Sequence, residues 1–220
     1  MAQDAAPPGA RDSAAPPGSP GGRALVAFDF DGTLTVRDSF TAFLRWRAGP
    51  LRFLLGLARL APSALAYLIH NDRGRIKAAA ARVYLSRVPR ERLESEAQAF
   101  AAETAAQFLR PDARATWDAW GAKGAWRTIV SASPSFVVAP FARMLEADDL
   151  IATELAYDAQ GRADGTFATP NCRGPEKVAR LAARYGVGVR LAAAYGDTGG
   201  DREMLQIAEE AGYRVFKARP

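Results

Sequence analysis

From Pro111 onward the chain alternates between helical and strand patterns, and this alternation constrains the fold more than any other feature. A helical pattern at about 111–122 precedes a strand at Arg127–Ser131. A helix from Pro134 to about Leu145 precedes Leu150–Thr153, and a hairpin turns near Asp158–Gly161. A helix from Pro175 to about Tyr185, a strand at Leu191–Tyr195, a helix at about 201–210 and a strand at Tyr213–Lys217 complete the pattern. Such alternation implies a parallel sheet covered on both faces. One strand stands apart from the rest. Ala24–Phe30 (ALVAFDF) is a short apolar run closed by Asp-Gly, the pattern of a buried strand entering a turn.

Between residues 37 and 110 the pattern is helical throughout, which interrupts the alternation after its first strand. The expected organisation is therefore α/β. A Rossmann-like parallel sheet is built from 23–36 and 111–220, and an inserted helical cap spans 37–110. Residues 1–22 hold six Ala, five Pro, four Gly and two Ser, with no Leu, Ile, Val or aromatic residue. That composition cannot offset its ordering entropy by apolar burial, and it predicts a disordered tail. With no apolar h-region, the tail does not read as a secretory signal.

At 220 residues, 49% hydrophobic and 24% charged, the rest is ordinary globular composition. The single Cys, Cys172, and the single His, His70, exclude disulfide scaffolds, structural zinc sites and imidazole clusters. A Cys172–His70 dyad is a weak alternative, and Cys172 reads as incidental. Chemistry must run on carboxylates, hydroxyls and a hard metal.

Net charge is +5, with 25 Arg and only 4 Lys. From Arg37 to Ser95, twelve basic residues face four acidic ones (Asp38, Asp72, Glu91, Glu94), a local +8. This suggests an anionic partner, with a solvated helix face as the plainer reading. Within the same region Leu51–Ile69 is long enough as helix, about 28 Å, to approach a bilayer core. It contains Arg52, Gly56, Arg59 and Pro62, however, and a central Arg costs at least about 2.5 kcal/mol in a membrane helix. Two shorter helices broken near Pro62 are expected, as plain cap core or as a surface that contacts lipid.

Three expected strands end in residues suited to one reaction, and in an open parallel sheet those ends converge on the ligand crevice. The first delivers Asp29-Phe30-Asp31-Gly32-Thr33, whose two carboxylates, spaced by two, can approach one ligand. The second ends at Ser131, followed by Ala132-Ser133-Pro134. The strand at Leu191–Tyr195 runs into Gly196-Asp197-Thr198-Gly199-Gly200-Asp201. Carboxylates gathered in one crevice repel each other unless a cation sits among them, and oxygen-only ligands favour Mg²⁺.

Asp29-Phe-Asp31-Gly-Thr-Leu-Thr, then Ile-Val-Ser131, Lys177, and Gly-Asp197-Thr-Gly-Gly-Asp201 resemble the four motifs of the haloacid dehalogenase superfamily. The resemblance implies that Asp29 is a nucleophile forming an aspartyl-phosphate and that Asp31 is the general acid and base. It implies Mg²⁺ held by Asp29, the Asp31 carbonyl and Asp197, with Asp201 acting through water or orienting those ligands. Ser131 and Lys177 would bind the transferring phosphoryl group, with Arg173 as the competing cation. A dehalogenase needs no proton donor, so Asp31 argues for phosphoryl transfer.

A cap after the first motif resembles the phosphoserine-phosphatase-like branch. Asp38 stands near the Glu that such enzymes use for the substrate ammonium, but it also suits a helix N-cap. Asp38-Ser39-Phe40, the apolar cap stretch, Ser133-Pro134 and Cys172-Arg-Gly-Pro-Glu-Lys177-Val resemble proteins of the phosphatidylglycerophosphatase C type. The expected activity is Mg²⁺-dependent phosphomonoester hydrolysis on a lipid phosphate, with phosphoserine or another soluble ester as the alternative. A non-catalytic regulatory or anionic-surface-binding role is the alternative of another class. An anionic membrane surface is the expected contact of the cap, and nucleic acid is not expected as a partner. The expected location is cytoplasmic, in part peripheral to the inner membrane.

Overall fold

The computed structural model describes residues 20–70 and 73–220, with side chains described outside 61–73. The expected tail lies outside the described residues up to residue 19, and the side chain of His70 lies outside them too. The first strand, β1 (Leu25–Phe28), is followed by three cap helices, α1 (Ser39–His70), α2 (Arg73–Leu85) and α3 (Arg90–Phe108). The chain continues through α4 (Pro111–Ala122), β2 (Trp126–Pro134), α5 (Ser135–Met144) and β3 (Asp149–Thr153). A hairpin, β4 (Leu155–Tyr157) and β5 (Ala163–Phe167), precedes α6 (Pro175–Tyr185), β6 (Leu191–Gly196), α7 (Arg202–Gln206) and β7 (Ala208–Tyr213).

The sheet has the order β3-β2-β1-β6-β7 and all its pairings are parallel. From β1 the chain moves to β2 on one side and later returns to β6 on the other. The carboxyl ends of β1 and β6 therefore flank the point where strand order reverses, where an open α/β sheet opens its crevice. β1 is buried along its whole length, and alternate residues serve opposite faces. Val26 and Phe28 join Trp117 and Phe141 on one face, and Leu25 and Ala27 join Leu181 and Met204 on the other.

The cap shares the first of these cores. Phe43 of α1 meets Phe136 of α5 edge-on at 5.4 Å, and Phe141 of α5 contacts Phe100 and Phe108 of α3 at 5.9 and 5.7 Å. The hairpin is tied to the cap as well. Gly165, at φ +83, lets β5 approach α2 so closely that a Cβ there would lie 2.7 Å from the Arg82 Cα.

Two expectations are corrected. The break in the long apolar stretch lies at Gly49 (φ 71, ψ 166), with Pro50 after it, while helical backbone continues through Pro62. Only glycine takes that conformation readily, and proline suits the first turn that follows. The last strand is Ala208–Tyr213 and not Tyr213–Lys217, and the helix before it stops at Gln206. Among the described residues β7 pairs only with β6, and as an edge strand it tolerates the exposed Glu209 and Glu210. Phe216, within the expected strand, folds back instead and packs on Tyr195 at 5.4 Å and Phe28 at 6.3 Å.

Candidate active site

Asp29 continues the end of β1, its N–H donating to the Tyr195 carbonyl at 2.9 Å. A single wide helical turn at Phe30–Leu34 then carries the chain out of the sheet, with Gly32 at φ 84 inside it. A Cβ on Gly32 would lie 2.3 Å from Asp197 Oδ2, so this glycine is what lets the β1 and β6 ends close on each other.

Beneath them lies Lys177, from the first turn of α6, almost wholly buried. Its Nζ donates to Asp29 Oδ1 at 2.6 Å and to the Val130 carbonyl at 2.6 Å, and it pairs with Asp201 Oδ1 at 2.7 Å. Burial alone would lower the Lys177 pKa, but Asp29 and Asp201 outweigh it and hold the ammonium charged. Burial pushes the Asp29 carboxyl up to about 7 against the pull of Lys177, with Asp201 and Asp31 adding repulsion. Thr33 Oγ1 makes a long contact, 3.4 Å, to Asp29 Oδ2.

Asp31 is held from two sides. The Ser39 N–H at the start of α1 donates to Oδ1 at 2.7 Å, and the Ser133 hydroxyl makes a very short bond to Oδ2. Burial raises its pKa and Asp38 adds to the rise, while Lys77, Ser133 and Ser39 pull it down without cancelling it. Ser131 is buried, its Oγ accepting the Ser133 N–H at 3.0 Å, and at this strand end Ala132 lines the cavity instead. Asp38 caps α1 through the Thr41 N–H at 2.7 Å.

At the end of β6, Asp201 accepts from the Thr198 N–H at 2.9 Å and the Thr198 hydroxyl at 3.0 Å. Its pKa is lowered because Lys177 and these donors outweigh the upward push of burial. Asp197 is raised, by burial first and then by Asp201, and its Oδ1 is buried with no hydrogen-bond partner among the described residues. Carboxylate oxygens of Asp29, Asp197 and Asp201 lie within 4.8 Å of one another. An orphaned carboxylate oxygen in an all-oxygen group fits Mg²⁺, which is hard and takes such ligands. The Asp31 carboxylate stands outside that group, turned to Ser39 and Ser133.

These residues floor a cavity of about 620 Å³, whose walls carry Arg37, Lys77, Arg110 and Arg173 together with Asp38 and Asn171. Of the two candidate cations, Lys177 sits on Asp29, whereas Arg173 stands at the wall, donating to Thr198 Oγ1 at 3.2 Å. Cys172 is buried, and burial pushes its thiol up to about 11, so it is no nucleophile at neutral pH. Sequence reasoning did not assign two contacts. Ser133 bonds to Asp31, a contact that the Ser-Ala-Ser spacing foreshadows by pointing both hydroxyls one way. Lys77, the lone lysine of the Arg-rich cap, reaches the Ala132 carbonyl at 3.3 Å.

Solved structures share this fold. A protein of unknown function from Bordetella pertussis Tohama I superposes with a TM-score of 0.69 at 23% identity, covering 84% of this chain and 86% of that one. A phosphoserine phosphatase in apo form superposes with a TM-score of 0.55 at 19% identity, covering 87% and 86%. In sequence the chain is 55% identical over 196 residues to Protein CicA of Caulobacter vibrioides (strain NA1000 / CB15N), covering 89% of this chain and 88% of that protein. Residues 26–206 match the haloacid dehalogenase-like hydrolases, and with the strand-end carboxylates gathered over a buried lysine, the chain belongs to that family.

Proposed function

We propose that this protein is a Mg²⁺-dependent phosphomonoester hydrolase that works through an aspartyl-phosphate. The observation that carries the reading is the division of labour between two neighbouring carboxylates. Burial raises both, but Asp29 is locked to a buried ammonium, whereas Asp31 is bonded to a hydroxyl and an amide. One is built to attack and the other to carry a proton. Asp29 attacks phosphorus as the P–O ester bond breaks, and the departing alkoxide takes the proton of Asp31. Asp31 then takes a proton from the water that attacks the acyl phosphate, releasing inorganic phosphate and freeing Asp29. Lys177 keeps Asp29 oriented through both steps. Asp29 and Asp197, with Asp201 beside them, would hold Mg²⁺, which when bound neutralises phosphate charge so that a carboxylate can approach.

The substrate reading is a lipid phosphate such as phosphatidylglycerophosphate. Four cationic side chains in the cavity wall suit a substrate that is anionic beyond its scissile phosphate. The second reading, phosphoserine or another small soluble ester, draws on Asp38, an acidic residue that also lines the cavity and could meet an ammonium there.

Phosphate release with Mg²⁺ tests both readings, comparing phosphatidylglycerophosphate in vesicles, free phosphoserine and an aryl phosphate, with Asp29→Asn as the blank. Turnover in wild type and a loss of at least about 10³-fold in Asp29→Asn are expected. Full activity in that variant would overturn the mechanism, and preference for phosphoserine would overturn the lipid reading alone.

A further inference from the structure

Beyond Gly49-Pro50, α1 presents two opposite faces. On one, Phe53 stacks on Tyr84 of α2 at 5.6 Å, Leu60 is buried, and a Cβ on Gly56 would fall 2.2 Å from the Tyr84 hydroxyl. That face is fully used by α2. On the other, Leu51, Leu54 and Leu55 are 70%, 62% and 57% exposed, with exposed Ala58 continuing the row. The spacing i, i+3, i+4, i+7 places all four on a single helical stripe. Leu57, 44% exposed, widens it. Among the described residues, no other short stretch carries four exposed large hydrophobics.

Charge identifies the occupant. Arg52 and Arg59 are exposed and lie one helical position from the leucine row, seven residues apart and hence on one side of it. The sequence of α1 contains no Asp or Glu from Ser39 to His70. An apolar stripe bordered by arginines, on a helix that carries no acid of its own, matches the boundary between acyl chains and anionic headgroups. Among the described residues, no helix is long and apolar enough to cross a membrane. An exposed apolar stripe along one side of a helix, with arginines beside it, has the geometry of a helix lying in the interface. We infer that the Leu51–Leu54–Leu55 face of α1 seats the cap on an anionic lipid bilayer, leucines in the acyl boundary and Arg52 and Arg59 on the headgroups.

Co-sedimentation of the full chain with vesicles tests this without turnover, so a protein that hydrolyses nothing can still bind, and an active one can fail to. Wild type should pellet with mixed phosphatidylcholine–phosphatidylglycerol vesicles and stay in solution with phosphatidylcholine alone. Leu54→Asp/Leu55→Asp should weaken binding at least about tenfold, and Arg52→Ser/Arg59→Ser should do so as well, each arginine near the surface being worth about fivefold. Both pairs are solvent-exposed, so thermal unfolding and turnover of a soluble aryl phosphate should match wild type. No binding by wild type, or wild-type binding by the aspartate pair, would overturn the assignment. So would a wild-type dimer in sedimentation equilibrium that the aspartate pair returns to monomer, since a second copy would then cover the face.

Discussion

Replacing Lys177 with methionine tests the centre of the site most severely. The ammonium makes three close contacts, to Asp29 at 2.6 Å, Asp201 at 2.7 Å and the Val130 carbonyl at 2.6 Å. Removing one partner of a buried ion pair costs about 3–5 kcal/mol, because the charge left behind has no compensation. Here Asp29 has a partial escape. Its pKa already stands at about 7, and Lys177 is the main group pulling it down, so without the lysine the carboxyl takes up a proton near neutral pH. Protonation of a group so poised costs little, which puts the expected loss at the lower end, about 3 kcal/mol, or ~6–12 °C in Tm for a chain of this size. The same proton disables the nucleophile, and with the lost charge opposite the phosphoryl group it should lower kcat by at least about 10³-fold. Thermal unfolding in chelator, to keep metal out of the comparison, measures the first effect, and aryl phosphate hydrolysis with Mg²⁺ measures the second. Adding Asp29→Asn to the methionine variant should return about 1–2 kcal/mol, since the buried carboxyl that must otherwise take up a proton on folding is then gone. A Lys177→Met protein that unfolds at the wild-type temperature, or a double variant no more stable than the single, would refute the reasoning.

Ser133→Ala removes a bond that favours ionised Asp31, so the Asp31 pKa should rise further; the alkaline limb of the pH–rate profile should then move to higher pH while kcat falls about tenfold. A downward shift of that limb would contradict it. Gly32→Ala sets a Cβ at 2.3 Å from Asp197 Oδ2, at a φ of +84, and should weaken Mg²⁺ binding at least about tenfold in a calorimetric titration; unchanged affinity would show that Asp197 holds no metal. Asp112 accepts the Lys217 and Ala218 N–H groups at 2.6 and 2.9 Å, and these bonds outweigh burial to lower its pKa. A depressed carboxyl stabilises the fold above its unfolded pKa and loses that contribution as pH falls through the folded one. Asp112→Ala should therefore cost about 1 kcal/mol at neutral pH and almost nothing at about pH 3 in paired thermal melts.

What the sequence made legible follows from how each signal arises. Buried parallel strands are nearly continuous apolar runs, so β1, β2, β3 and β6 announce themselves, and Gly174-Pro175 marks the start of α6, placing Lys177 in its first turn. The edge strand did not announce itself. Ala208–Tyr213 carries two glutamates, one of them accepting from the Tyr195 hydroxyl at 2.7 Å, and its pairing is decided by the neighbouring strand and not by its own composition. Phe216 shows the complementary case, since an aromatic residue beyond the strand can fill a core as well as one within it. In the site, Asp29, Asp197, Asp201 and Lys177 come together because topology gathers strand ends. Ser133 and Lys77 act through single contacts across the fold; the Ser-Ala-Ser spacing sets two hydroxyls on one side of the strand but does not tell that residue 133 meets residue 31.

The two halves of the site depend on different parts of the chain. Asp29, Lys177, Asp197 and Asp201 all come from β1, α6 and the end of β6, and their mutual contacts need nothing from the cap. Asp31 is different. One oxygen rests on the first amide of α1 and the other on Ser133 of β2, while Lys77 of α2 reaches across to Ala132 beside it. In the proposed reaction the nucleophile is thus a property of the sheet, and the proton carrier is assembled only where cap and sheet meet. An aryl phosphate, whose leaving group needs little protonation, draws chiefly on the first half. An alkyl phosphate, whose alkoxide must be protonated as it departs, draws on both. The insertion point explains this asymmetry: a cap that enters the chain eight residues after Asp31 begins its first helix on the acid itself.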